Sequence, residues 1–216
     1  MSDVTALVDR IDAEFSEAQK SIESFRDQEL AAYQGREQRL EQFHAVCESL
    51  QGVWRPRIDA LAKKFGEKAK VSPKITPAER AADFEFTSPL AQIHLRFSAT
   101  TDYDVRNLVL NYQLDVLPIL MKFNPHAQVE FPLDAVDPDA VAKWLDDRIV
   151  DFVKTYLALH RNEYYLKGKT VTDPISNTQF PKYAAAATLD WQGRTYYFIS
   201  PVTLRQFQEQ KGLPVS

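Results

Sequence analysis

The chain has 216 residues, a formal net charge of -4, 44% hydrophobic and 12% aromatic side chains, and one cysteine, Cys47. That much apolar material is enough for a packed core and excludes a disordered polymer, while the acidic balance argues against general nucleic-acid binding, which needs a basic surface to neutralise phosphates. A lone cysteine excludes an internal disulfide framework and fits a reducing compartment.

The opening residues are polar and acidic, with no basic stretch leading into an apolar run, so no secretory leader is expected. No run of about 18 apolar residues occurs, so no membrane span is expected, and the cytoplasm is the expected location. Charge is unevenly spread: residues 1–54 carry a balance of -6 and residues 55–74 a balance of +5.

Val4, Val8, Ile11, Phe15, Ala18, Ile22 and Phe25 recur at alternating four- and three-residue steps, which places them in one seam of a long helix. The same register then meets Glu29, Arg36 and Arg39 before recovering at Phe43, Val46 and Leu50. With Gly35 in that stretch, a bend or break is predicted near 34–38. The seam has three possible destinations: a coiled coil with another chain, a hairpin against 38–54, or a cap on a downstream sheet. Val4, Val8, Ile11, Phe15, Ile22 and Phe25 are therefore candidate partner-binding residues.

A second helix is predicted at 57–70, with Ile58, Leu61 and Phe65 on one side. Pro73 and Pro77 end it, and the stretch VSPKITP reads as a linker. Arg55, Arg57, Lys63, Lys64, Lys68, Lys70 and Lys74 make a basic segment able to dock an anionic partner, whether RNA, an acidic protein or membrane headgroups. The competing reading is a solvated face that complements the acidic first helix.

From Ala82 to Leu133 the period changes to two. Phe84 and Phe86 alternate, as do Ile93, Leu95 and Phe97, and then Leu108, Leu110, Tyr112, Leu114 and Val116. The turn signals Thr87-Ser88-Pro89, Thr101-Asp102-Tyr103-Asp104 and Asn124-Pro125-His126 leave no room for helical crossovers, so an antiparallel meander is predicted. Pro118 should end the longest strand, and a fourth strand is expected at 127–132. Asp137-Pro138 supplies a cap and a first-turn proline for a helix running to about His160. Its apolar face is Val141, Leu145, Ile149, Phe152, Val153 and Tyr156, which should cover one face of the sheet.

The C-terminal stretch carries a recognisable frame. Asp173-Pro174-Ile175-Ser176-Asn177-Thr178, then Trp191, Gly193, Tyr196-Tyr197-Phe198-Ile199-Ser200, Thr203 and Phe207, resemble a YHS domain over about 35 residues. Where the family pattern places cysteines this chain has Ser176, Ile199 and Thr203, and Asn177 and Thr178 replace the glycine and methionine that follow the first cysteine. Soft metals need thiolate or imidazole donors, so no metal or cofactor is expected here. The resemblance implies binding more than catalysis. Gln192-Gly193 suits a tight hairpin turn, and a helix from Pro201 to Gln210 with Leu204 and Phe207 inward should close the module. Burial of Ile199 is expected to help hold it.

Other motifs reduce to simpler readings. Glu41-x-x-His44 has the spacing used in di-iron bundles, but the second such motif is missing. His44 and Cys47 share a helical face, yet two ligands do not close a zinc site, and a buried apolar Cys47 is the simpler reading. His94, with Gln92 and Arg96, lies on the polar side of a strand, where it could line a concave surface. His126 reads as a loop residue and His160 as the end of a helix. No nucleophile elbow, phosphate-binding glycine loop or H-E-x-x-H occurs, so no catalytic residues are assigned and an enzyme is the minority reading.

The expected whole is an α+β chain in three parts. Residues 1–72 form a helical or coiled-coil segment, 79–162 an antiparallel α+β domain and 168–212 a degenerate YHS-like module. The expected role is binding or assembly, by self-association or with another protein. The alternative is a small-ligand or metal-linked accessory protein with a pocket in the α+β body.

Overall fold

The computed structural model describes residues 2–214, with side chains from Val4 onward. The chain is α+β. Helix α1 (Ser2–Ser49) passes through Leu50 into α2 (Gln51–Phe65), and a five-stranded antiparallel sheet follows: β1 (Ala69–Thr76), β2 (Glu79–Phe86), β3 (Gln92–Thr101), β4 (Asn107–Leu117) and β5 (His126–Pro132). The strands lie side by side in chain order. Helices α3 (Pro138–Leu159) and α4 (Glu163–Leu166) come next. The C-terminal part is built from the hairpins β6 (Thr170–Thr172) with β7 (Gln179–Pro181) and β8 (Ala187–Trp191) with β9 (Arg194–Phe198), closed by α5 (Pro201–Lys211). No described helix is long and apolar enough to cross a membrane.

Strict alternation gives the sheet one apolar face. Phe84, Leu95, Leu114 and Phe97, Tyr112 align across β2, β3 and β4, and all are buried. Helices α2 and α3 cover this face. The Trp54 ring meets Phe97 edge-on at 6.4 Å, and Phe65 packs between Phe86 at 4.7 Å and Tyr156 at 4.9 Å. Phe43 and Leu50 at the end of α1, Ile58 and Leu61 of α2, and Val141, Leu145, Phe152 and Leu159 of α3 belong to one buried cluster with the strands. Asp137 caps α3 as its spacing suggests, its side chain accepting a hydrogen bond from the Asp139 amide.

Several local expectations are corrected. Helix α1 runs through 34–38 without a break. Gly35 lowers helix propensity there by only about 1 kcal/mol, and the arginines that interrupt the apolar seam have partners instead. Arg36 lies over the Tyr103 ring at 5.9 Å, and Arg39 Nε donates to the Asp104 carbonyl at 2.9 Å, so both grip the loop between β3 and β4. The second helix ends at Phe65 rather than near 70, and VSPKITP, up to Thr76, lies in the edge strand β1 rather than in a linker. Pro73 is tolerated there because an edge strand needs only one side of its backbone for pairing. The meander thus has five strands, and His126 is the first residue of β5 rather than a loop residue. Pro118 does end β4, the longest strand.

Residues 170–211 pack around their own aromatics. Phe207 meets Tyr196 at 4.9 Å, Phe198 at 5.4 Å and Trp191 at 5.8 Å. Gln192 and Gly193 both have positive φ, as a tight two-residue hairpin turn requires.

Candidate functional site

The first two-thirds of α1 contribute nothing to the core. Every side chain from Val4 to Gln34 is exposed, and Val4, Leu7, Val8, Ile11, Phe15, Ile22 and Phe25 each keep 45–73% of their surface open. Taken at 100° per residue, these side chains and Ala18 fall within about 50° of one line along the helix. The candidate residues Val4, Val8, Ile11, Phe15, Ile22 and Phe25 therefore form one continuous apolar stripe. Leu7 belongs to the same stripe and was missed because it lies outside the strict seven-residue repeat. Two of the three possible destinations are closed for this segment: it neither folds back on 38–54 nor caps the sheet. Only the stretch from Arg36 to Leu50 reaches the body, through the two arginines and Leu40, Phe43, Val46, Cys47 and Leu50.

The basic candidates are not gathered in the same way. Arg55, Arg57, Lys63 and Lys64 lie on α2, Lys68 in the short 3-10 turn after it, and Lys70 and Lys74 on β1. Arg57 is already engaged, donating to both carboxylate oxygens of Asp146 at 2.8 and 3.2 Å and to the Val53 carbonyl. Lys74 pairs with Glu79 at 3.0 Å. Lys63 and Lys64 occupy the last turn of α2, where a cation is favourable to the exposed carbonyls.

The open face of the sheet is a polar ladder. Arg96 bridges Asp83 and Glu79, with its closest contacts at 2.5 and 2.6 Å. Burial works against the Glu79 charge, but the hydrogen bonds from Lys74 and Arg96 hold its carboxyl below the usual range. A hollow of about 340 Å³ on this face is lined by Arg96, Asn111, Gln113, His126 and Gln128. His94 is not among its lining residues; it stands opposite Glu85 and Asp115 in the ladder. A wider hollow of about 640 Å³ lies where α3 ends. Met121 and Leu157 give it an apolar floor, and Lys122, Lys154 and Arg161 stand around it. Just before Met121 in the chain, the Tyr165 hydroxyl donates to the Pro118 carbonyl at 2.6 Å and accepts from the Leu120 amide at 3.0 Å.

In the C-terminal part a single buried carboxylate organises the chain. Asp173 is fully buried, and its two oxygens accept from the amides of Ile175 at 2.8 Å, Ser176 at 3.1 Å and Ile199 at 2.9 Å and from the Thr203 hydroxyl at 2.7 Å. Burial would raise its pKa, but these four donors hold it below the usual carboxylate range. Positions 176, 199 and 203 thus meet around one acidic side chain. Ile199 itself is 41% exposed, contrary to the expected burial; its amide, not its side chain, does the holding. Thr203 also completes a reciprocal cap with Ser200 at the start of α5.

Among the described residues no group of three His, Cys, Asp or Glu side chains is placed to hold a metal ion. Glu41 is exposed, while the His44 ring contacts the Pro77 carbonyl at 2.5 Å. Cys47 is partly covered by the core, and burial pushes its thiol up to about 11. The His160 ring meets Tyr156 at a tilt, with centroids 4.5 Å apart, and shares a hydrogen bond with the Tyr156 carbonyl. No protein-family model, curated protein or solved structure matches the chain.

Proposed function

We propose that this is a non-enzymatic assembly protein of the cytoplasm, in which α1 is the self-association element and the sheet body with its C-terminal module is what the assembly presents to other proteins. The observation that carries this reading is the stripe from Val4 to Phe25: seven large apolar side chains on one helix face, all exposed and none used by the body. Isolated exposed apolar residues are ordinary, but a contiguous helical stripe of this length is what an interface buries. The C-terminal part is read as a YHS-like frame in which Asp173 and its four donors hold together the positions that carry cysteines in the family pattern. With serine, isoleucine and threonine there, the module is assigned protein binding and no metal.

Sedimentation of the full chain at tens of micromolar tests this reading. Wild type should be a dimer or larger, and Ile11→Asp/Ile22→Asp should be a monomer with unchanged thermal stability of the body. A wild-type chain that stays monomeric at that concentration would sink the proposal.

A second reading rests on the hollow at the end of α3, where Lys122, Lys154 and Arg161 make no ion pair among the described residues and surround an apolar floor. That combination suits a small anionic amphiphile. Octyl phosphate should raise the melting temperature of wild type and not of Lys122→Glu/Lys154→Glu; equal shifts, or none, would remove this reading.

A further inference from the structure

Resting on the self-association reading, we infer that two copies of α1 pair antiparallel, about a two-fold axis between residues 16 and 17, and not as a parallel coiled coil. The face that α1 turns to its own body decides this. The centre of the set Leu40, Phe43, Val46, Cys47 and Leu50, which packs on the core, lies about 45° from the centre line of the exposed stripe at 100° per residue, with Leu40 and Cys47 almost on that line. One unbroken helix therefore uses largely the same side twice, first open and then covered by its own sheet and helices.

A parallel, in-register pair cannot accommodate that. Two helices in contact through Phe25 run about 8–10 Å apart, and only 11 residues, about 16 Å of helix, separate Phe25 from Arg36. From Arg36 onward each helix has a body on the side that faces its partner. A folded unit of about 165 residues is on the order of 40 Å across. Two of them would have to occupy the gap between helices one side chain apart.

The antiparallel arrangement avoids the collision. With Phe15 opposite Ala18 of the second copy, the remaining layers are Ile11 with Ile22 and Val8 with Phe25, each occurring twice. The six layers are all apolar and match a large ring with a small methyl at the centre. A stripe complementary to its own reverse is the signature of a two-fold interface, which favours a second copy of this chain over a foreign helix. In this register Val4 of one copy reaches Glu29 of the other, seven residues short of Arg36, where the body begins. Charge agrees: residues 4–17 carry -3 and residues 18–31 carry -1, so the antiparallel pair avoids stacking the two more acidic halves on each other. The points at which the two bodies attach would then lie about 65–70 Å apart along the rod.

Disulfide trapping in the full chain, with Cys47→Ser throughout, tests the direction. Ile11→Cys and Ile22→Cys are prepared singly, then equilibrated as an equimolar mixture and oxidised; sedimentation before oxidation records the mass. The antiparallel pair predicts no covalent dimer from either single variant, because its two thiols lie about 16 Å apart along the axis. It predicts an Ile11→Cys/Ile22→Cys heterodimer from the mixture. Covalent homodimers from the single variants would overturn it in favour of a parallel pair. A dimer by mass that forms no disulfide in any sample would overturn the register. A parent chain that sediments as a monomer would instead remove the self-association reading on which this one rests.

Discussion

Asp173→Ala is expected to unfold the C-terminal module while leaving the sheet body folded. The substitution strips four donors of a buried, charged acceptor at once: the amides of Ile175, Ser176 and Ile199 and the Thr203 hydroxyl. Hydrogen bonds to a charged group contribute about 1.5–3 kcal/mol each, and leaving buried donors unsatisfied adds to the loss, so a cost of about 3–5 kcal/mol to the module is expected. A unit of some 40 residues has little more than that to lose. Hydrogen exchange reads the result directly, since the amides of residues 175, 176 and 199 should lose protection in the variant while those of β3 and β4 keep theirs. Unchanged protection at 175, 176 and 199 would show that Asp173 does not organise the module. The pH dependence has a definite sign. Because the folded carboxyl lies below its unfolded value of about 3.9, its contribution is present above that pH and is lost as pH falls through the folded pKa. The gap between wild type and Asp173→Ala should therefore be widest near neutrality and narrow in acid.

The second large effect divides a single helix. Phe43 is completely buried in the main cluster, whereas Phe15, on the same face of α1, is 73% exposed. Phe43→Ala should cost about 3–5 kcal/mol, the transfer of a ring plus the cavity it leaves. Phe15→Ala, measured at a concentration low enough to keep the chain monomeric, should change stability by less than about 0.5 kcal/mol. Urea midpoints for the two variants provide the comparison. Similar losses would mean that Phe15 is also packed on the body, contrary to the structure.

The sequence made local features legible and long-range ones less so. Helix α3 was readable from its ends because Asp137 and Pro138 are cap and first-turn chemistry, determined by neighbours in the chain. The strands β2 to β5 were readable because one buried face imposes a period of two over long runs. Strand β1 was not, since Pro73 interrupts it, Pro77 follows it and its burial is slight; it is a strand because β2 offers it an edge. The continuity of α1 was hidden for a related reason: Arg36 and Arg39 look like a fault in the seam until Tyr103 and Asp104, some 65 residues away, are brought beside them.

The candidate stripe was legible residue by residue, but not its isolation from the body, which depends on where the sheet stops. In the C-terminal part only half of the role of Asp173 was legible. The signal was present as Asp173-Pro174, an aspartate whose side chain can accept from the amides two and three residues on. That its other oxygen would reach Ile199 and Thr203 is a tertiary fact.

The 48-residue length of α1 has a mechanical consequence. The helix is held near one end, by Phe43 in the core and by the Arg36 and Arg39 grips on the β3–β4 loop, and about 58 Å of unbroken helix separates Phe43 from Val4. It is a lever arm with a short purchase. A tilt of about 10° at the base sweeps the far end through about 10 Å, so a small change in how Tyr103 and Asp104 sit becomes a large change in where Val4 and Val8 are delivered. The hairpin loop, which touches none of these side chains, thereby helps set where the exposed stripe points.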